Sequence, residues 1–128
     1  MATGLENLKI YNIAKELEMG VYNITQEFPK DERFRSVDQL RRSSSAVTNN
    51  IAEAYNKKTM AAKSYVLRDI VISEAEETQS NLRPCAQKRF ADPDRLVVLA
   101  EKYKELIKAT YGFIRFLRSG EPKRSVTE

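Results

Sequence analysis

Apolar and small side chains recur every three or four residues between positions 36 and 56. This period keeps side chains on one face of an α-helix. The middle of the face holds serine and alanine instead of large apolar residues, and small residues let a neighbouring helix approach closely. The segment therefore predicts a central helix of a tightly packed bundle, with a buried face formed by Val37, Leu40, Ser44, Val47, Ile51 and Ala54.

The start of this helix carries a local signal. Ser36 stands three residues before Gln39, the spacing of a capping box, in which each side chain satisfies a backbone N–H at the helix start. Thr3 and Glu6 repeat that spacing near the N-terminus. We therefore expect helices to begin close to both pairs.

The same rhythm occurs in three other segments, so four long helices are expected. Pro29 should end the first helix, Pro84 should kink or locally open the third about one turn before it, and Asp92 with Pro93 should start the fourth. Short links favour antiparallel neighbours. The prediction is an all-α, antiparallel, up-down-up-down four-helix bundle over residues 1–120, with helices at about 5–28, 36–56, 60–89 and 93–118 and a disordered tail at 121–128.

Several functional classes are disfavoured by composition. The 128 residues include no histidine and a single cysteine, Cys85, which removes the commonest general base and the commonest metal ligand. We therefore expect no enzymatic activity, no cofactor and no metal site, and a buried, unreactive Cys85. No run of about 18 apolar residues and no signal-peptide pattern occurs, so a cytoplasmic protein is expected.

The motif QLRRSSSAVTNNIAEAY, at positions 39–55, resembles the signature QLRRAA.SI.SNIAEG of the family of proteins encoded in intervening sequences of 23S ribosomal RNA genes. Similarity continues in LKIYNIAKEL, VYNITQEFPKDERF and SEAEETQSNL, so it covers most of residues 5–118. The family often has proline where Thr48 stands and glycine where Ala54 stands. Both replacements favour an uninterrupted helix here.

The resemblance implies a four-helix bundle and a set of partners. Members of the family are similar in fold to the accessory variability protein of diversity-generating retroelements, which forms a homopentameric barrel and works with a reverse transcriptase and nucleic acid. By that likeness we expect a homo-oligomer, a pentameric ring, with a reverse transcriptase as a further partner. Helix 1 adds Tyr11, Met19 and Tyr22 outside its main apolar row, and such an excess suggests a subunit interface.

Basic residues are unevenly distributed. The net charge is +6 from Arg33 to Arg68, +5 from Lys102 to Arg124 and −7 over the remainder. In the predicted bundle, the link between helices 2 and 3 lies at the same end as the end of helix 4. We expect that end to bind the phosphates of RNA or DNA, and the predicted nucleic-acid-binding residues are Lys57, Lys58, Lys63, Arg115, Arg118, Arg41 and Arg42.

Two alternatives stay open for this charge. Lysine and arginine near helix C-termini also complement the helix dipole without binding anything. The chain would then be an oligomeric scaffold that docks a partner protein, with no nucleic-acid binding. Tyr55 and Tyr65 flank the basic residues and could stack on unpaired bases, or they could pack as half-buried residues.

Polar side chains near the predicted seam between helices 2 and 3 suggest a structural network. Glu74 and Glu77 share one helical face, which Glu53 could approach across an antiparallel pair. A di-iron site would need histidine partners that the chain lacks. We therefore expect Asn50, Glu53, Glu74 and Glu77 to form a hydrogen-bonded network, with Asn50 or a helix 2 arginine paired to a helix 3 glutamate.

Overall fold

The computed structural model describes residues 4–120, and this part of the chain contains helices and no β-strand. Helix α1 spans Lys9–Thr25 after a 3₁₀ turn at Leu5–Asn7. Helix α2 begins with a π-helical turn, Arg33–Val37, and continues as Asp38–Asn56. Helix α3 runs through Met60–Tyr65, a π-helical segment Val66–Val71, and Ile72–Gln87. Helix α4 is Pro93–Ser119. The predicted tail at 121–128 and the predicted capping role of Thr3 lie outside the described residues.

The four helices bury one apolar core. Every residue of the predicted α2 face is buried, including Ser44. A row on α3 with the same three-four spacing is buried as well, and it consists of Leu67, Val71, Ala75, Thr78, Leu82 and Cys85. Gly20 on α1 lies so close to α4 that an added Cβ would stand 2.9 Å from a Leu99 methyl carbon. The three-four period therefore identified the packed faces correctly.

Each helix contacts the next one along the chain, and α1 also contacts α4. Polar pairs mark these contacts. The Arg41 Nε of α2 donates to Thr25 Oγ1 of α1 at 2.9 Å. Arg83 of α3 and Glu101 of α4 are 2.7 Å apart at Nη2 and Oε2. Arg95 Nη1 of α4 lies 2.9 Å from Glu27 Oε1, just beyond the end of α1.

The N-terminal turns of α4 and α2 differ in how they are capped. Asp92 accepts a hydrogen bond from the backbone N–H of Asp94 at 3.2 Å, and Pro93 occupies the first helical position, as the sequence indicated. Ser36 does not cap α2. Its hydroxyl instead donates to Glu32 Oε1 at 2.7 Å, and helical geometry already begins at Arg33. The capping-box prediction at Ser36 was therefore wrong, because the preceding buried carboxylate takes its hydroxyl.

The end of α3 is a Schellman turn without glycine. Arg89 has a φ of 56°, in the left-handed region that favours glycine. The N–H of Phe90 donates to the Cys85 carbonyl and the N–H of Arg89 donates to the Ala86 carbonyl, both at 3.1 Å. The Phe90 ring then packs against Phe28, with ring centroids 5.5 Å apart. This turn joins the α3–α4 link to the α1–α2 link at one end of the molecule.

Helix α3 departs from α-helical geometry well before the position at which Pro84 predicted an irregularity. Pro84 lies inside Ile72–Gln87, which remains α-helical on both sides of it, so the helix does not open one turn before Pro84, and the alternative of a kink stays a prediction. The irregular segment is Val66–Val71, where the helix is π-helical. Along α2, Asp38–Asn56 is continuous through Thr48 and Ala54. No helix among residues 4–120 is long and apolar enough to cross a membrane.

Candidate nucleic-acid interface

The α2–α3 link and the last turns of α4 meet at one end of the molecule. An apolar cavity of about 120 Å³ lies between them. Tyr55 of α2, Lys63 of α3 and Phe113 and Leu117 of α4 all line it. We call this region the basic end, defined by Lys57, Lys58, Lys63, Arg115 and Arg118. Five of the seven predicted nucleic-acid-binding residues are thus brought to one end.

Lys63 holds a structural position at the basic end. Its Nζ donates to the backbone carbonyl of Tyr55 at 2.6 Å and lies 5.5 Å from the centroid of the Tyr55 ring. Tyr55 is in the last turn of α2, where carbonyl groups lack helical partners. Lys63 therefore satisfies the C-terminal end of α2, and its ammonium group is only partly available to a ligand.

The other cations of the basic end differ in their partners. Lys57 Nζ lies 3.2 Å from Glu53 Oε2, one turn earlier on α2. Lys58, Arg115 and Arg118 are exposed, and none of their side chains forms an ion pair or hydrogen bond within residues 4–120. These three side chains are the cations of the basic end best placed to contact phosphate.

Arg41 and Arg42 are not part of the basic end. They precede Lys57 by about 15 residues, which is about 22 Å along a helix. Arg41 donates to Thr25 Oγ1 and to the Tyr22 carbonyl, and its guanidinium stacks 4.5 Å from the Tyr22 ring centroid. Arg42 pairs with Asp38 at 3.3 Å. Arg41 therefore joins α2 to the C-terminal end of α1.

The aromatic residues near the basic end are of two kinds. Tyr55 is half-buried beneath Lys63, whereas the side chain of Tyr65 is 55 % exposed. Phe116 on α4 is 67 % exposed, and its ring lies 6.1 Å from that of Phe113. Exposed rings beside unpaired cations are surfaces on which bases can stack.

The predicted polar network is not assembled around helix 3 glutamates. Asn50 Nδ2 donates to the Ala46 carbonyl within its own helix at 2.8 Å, and Glu53 pairs with Lys57. Glu74 and Glu77 line an open cleft between α2 and α3. Burial raises the pKa of Glu74, the nearby Glu77 carboxylate raises it further, and Arg42 lowers it.

Hydroxyl groups join α2 and α3 inside the core instead. Thr78 Oγ1 lies 2.7 Å from Ser43 Oγ, and both side chains are buried. Tyr103 of α4 is fully buried near Ser44. Burial raises its pKa well above the usual range, and Glu18 on α1 adds to that effect. Polar residues on the apolar rows, Ser44 and Thr78, were the sequence signal for this layer, but Ser43 was missed.

The single cysteine of the chain belongs to the core. Cys85 is buried, as predicted, and burial raises its pKa while the Ser36 hydroxyl lowers it. Within residues 4–120, no group of three histidine, cysteine, aspartate or glutamate side chains is placed to hold a metal ion.

Comparison with models of known protein families gives a match. A family model described as 23S rRNA-intervening sequence protein matches residues 6–112 of the chain. A search of curated proteins finds no match.

Proposed function

Because this chain belongs to the family of 23S rRNA-intervening sequence proteins, we propose that it binds nucleic acid through the phosphates, at its basic end. The observation that carries this proposal is a set of exposed cations without an ion-pair partner in the described part of the chain, on two elements that meet at one end. They are Lys58, Arg115 and Arg118. When such cations contact phosphates, they release the counterions condensed on the nucleic acid, and this release favours binding.

The local charge supports the same proposal. From Leu106 to Gly120 the chain contains no aspartate or glutamate, so Arg115 and Arg118 have no acidic neighbour along α4. Helix-dipole complementarity accounts for a cation in the last turn of a helix. Lys58 follows the end of α2 and precedes α3, so the dipole accounts less well for its position.

The experiment is a salt titration of nucleic-acid binding. Fluorescence anisotropy with labelled structured RNA and duplex DNA should show a steep loss of affinity as salt rises. Replacing Lys58, Arg115 and Arg118 by glutamine should lower the slope of log K against log salt by about 2.7 on duplex DNA, at about 0.9 per phosphate contact. Unchanged affinity in this triple variant would overturn the proposal.

A matched control is available at the other end of the molecule. Lys30, Arg33 and Lys88 are exposed, and the packing of Phe28 on Phe90 places their two links together. Replacing these three by glutamine removes the same charge. This control variant should keep most of the affinity, because net charge alone acts weakly beyond a Debye length of about 8–10 Å.

A non-enzymatic role is part of the proposal. The chain contains no histidine, so its candidates for proton transfer at neutral pH are few. Of the groups with a raised pKa, Tyr103 and Cys85 are buried in the core, whereas Glu74 lines the open cleft between α2 and α3.

The proposed arrangement is an antiparallel, up-down-up-down bundle. The contacts Ser43–Thr78 and Tyr55–Lys63 pair early residues of α2 with late residues of α3 and the reverse, which supports antiparallel neighbours. The contacts of Glu27 with Arg95 and of Gly20 with Leu99 support an antiparallel arrangement of α1 and α4 as well.

We further propose that the chain assembles as a homopentameric ring, by its resemblance to the accessory variability protein of diversity-generating retroelements. Large exposed apolar residues support self-association, since they favour burial at an interface. They are Met19, Tyr22, Phe34, Val97, Val98 and Phe116. Light scattering tests the assembly, and a monomeric mass at micromolar concentration would overturn it.

The same resemblance makes a reverse transcriptase the proposed protein partner. A scaffold that binds only protein is the second candidate function, and the exposed apolar residues are the observation that favours it. The two differ in salt dependence, because phosphate contacts weaken steeply with salt while apolar contacts persist. Retained partner binding at high salt, with no affinity for RNA or DNA, would favour the scaffold.

A further inference from the structure

The outer face of α4 carries a straight row of exposed side chains. Its members follow one another at steps of four, three, four and three residues, so they lie along a single line on the helix. All are exposed. We call them the outer stripe, which consists of Lys104, Lys108, Tyr111, Arg115 and Arg118.

The outer stripe continues from the basic end along the side of the molecule. It shares Arg115 and Arg118 with that end and adds Lys104 and Lys108, which sequence reasoning missed. Its length is about 21 Å at about 1.5 Å per helical residue. A stacked nucleic-acid strand of that length holds about six nucleotides at about 3.4 Å each.

The cations of the outer stripe are not engaged in ion pairs with other described residues. None of its four lysines and arginines forms an ion pair within the described residues. The acidic residue at its start, Glu101, is bound by Arg83 at 2.7 Å. The hydrogen bond from Arg83 lowers the pKa of Glu101, and Lys104 and Lys108 lower it further. The carboxylate is therefore already surrounded by positive charge.

An aromatic ring interrupts the cations at the middle of the outer stripe. Tyr111 is 41 % exposed and stands three residues after Lys108 and four before Arg115. A duplex presents mainly phosphates to such a row, whereas a single strand also presents the faces of unpaired bases. A ring between cations is the arrangement that stacks on those faces.

We propose that the outer stripe binds single-stranded nucleic acid, with Lys104, Lys108, Arg115 and Arg118 on phosphates along one strand and Tyr111 against a base. This inference rests on the proposed function and extends it from the basic end to a track along α4. It also names the ligand class as unpaired RNA or DNA. Single-stranded RNA and single-stranded DNA both offer phosphates and base faces, so both are ligands of the outer stripe. The 2′-hydroxyl of RNA is not needed for either contact.

The test compares two variants with two probes. The probes are a labelled oligo(dT) of about 20 nucleotides, longer than typical single-strand site sizes of about 4–16 nucleotides, and a duplex of equal length. Lys104→Gln with Lys108→Gln should lower the salt slope for oligo(dT) by about 1.4, at about 0.7 per phosphate on a single strand, and the affinity at low salt by about tenfold.

The second variant isolates the ring. Tyr111→Leu keeps apolar bulk and charge but removes the stacking surface, so oligo(dT) affinity should fall at least about fivefold with an unchanged salt slope. Duplex affinity should stay within about twofold, because no unpaired base is offered. Lys30→Gln with Arg33→Gln is the matched charge control. Circular dichroism and thermal unfolding confirm that each variant is folded.

The outcomes separate this inference from the proposed function. If the Lys58, Arg115 and Arg118 variant loses affinity while the Lys104–Lys108 and Tyr111 variants bind like the parent, the outer stripe is overturned and the basic end stands. Equal weakening of oligo(dT) and duplex by Tyr111→Leu also overturns it. If the parent protein binds neither probe at about 50 mM salt, where phosphate contacts are strong, the proposed function fails and the track with it.

Discussion

The Thr78 hydroxyl oxygen lies 2.7 Å from Ser43 Oγ inside the core, and this contact joins α3 to α2. Thr78 Oγ1 is also 2.8 Å from the Glu74 carbonyl of its own helix. A threonine hydroxyl has one proton and two acceptor lone pairs, so both contacts can be satisfied when Ser43 supplies the second proton. The pair fixes the position of two helices whose facing residues are small.

The two hydroxyl groups should therefore contribute to stability as a coupled pair. Thr78→Val keeps the shape but leaves Ser43 without its partner, and we expect a loss of about 1–2 kcal/mol in the free energy of unfolding. The double variant with Ser43→Ala should lose less than the sum of the single variants, with a coupling of about 1 kcal/mol. Urea unfolding of all four proteins measures this cycle, and additive effects would contradict the pairing.

The left-handed turn at Arg89 offers a stabilising substitution. A non-glycine residue at this φ carries a cost of about 1 kcal/mol that glycine avoids. Arg89→Gly should raise the free energy of unfolding by about that amount, or the melting temperature by about 4 °C. Arg89→Ala is the control, since it removes the charge and keeps the strain. An equal gain in both variants would assign the effect to charge instead.

Arg41 should contribute to stability and not to nucleic-acid binding. Arg41→Met keeps the apolar stem but loses the contacts to Thr25 and Tyr22, and we expect a cost of about 1–2 kcal/mol. Arg42→Met removes only an exposed pair with Asp38 and should cost less than about 0.5 kcal/mol. Anisotropy should give unchanged affinities for Arg41→Met. A marked loss of affinity in a folded Arg41→Met protein would return this residue to the interface.

Tyr103 should make the protein sensitive to alkaline pH. Its pKa is raised in the folded state, so the folded protein retains the phenol proton while the unfolded chain releases it above about pH 10. The contribution of the protonated Tyr103 phenol to the free energy of unfolding is fully present below that pH. Above it, the free energy of unfolding should fall by up to about 1.4 kcal/mol per pH unit.

The phenylalanine variant isolates this titration. Tyr103→Phe has no proton to lose, so its unfolding free energy should fall less steeply than that of the parent between pH 10 and 11, about where free tyrosine titrates. At pH 8 the difference between the two proteins should be small and constant. Parallel curves across the alkaline range would show that other groups, such as lysines, account for the loss.

The apolar rows could be predicted from sequence because helical period and burial are directly linked. Leu40, Val47 and Ile51 are each fully buried, and their spacing alone identified them. The π-helical segment at Val66–Val71 could not be predicted in this way, since the buried residues Leu67 and Val71 inside it are four positions apart, as on an α-helical face.

The site was predicted less completely than the fold. The predicted order of helices placed Lys58 and Arg118 at the same end, and the structure does so too, because short links determine which helix ends meet. It could not tell that Arg41 is bound by Tyr22 and Thr25, or that Lys63 binds the end of α2. Both depend on contacts between residues distant in sequence. Lys104 and Lys108 were missed, although their spacing to Arg115 was present in the sequence.

The π-helical segment of α3 has a consequence for how sequences in this family are aligned. Such a turn usually accommodates one more residue than an α-helical turn in the same place. A homologue that lacks one residue between positions 66 and 71 can therefore keep Ile72–Gln87 and Met60–Tyr65 in the same packing positions. An alignment that forbids gaps inside helices would shift one of these segments by a position and exchange buried residues for exposed ones.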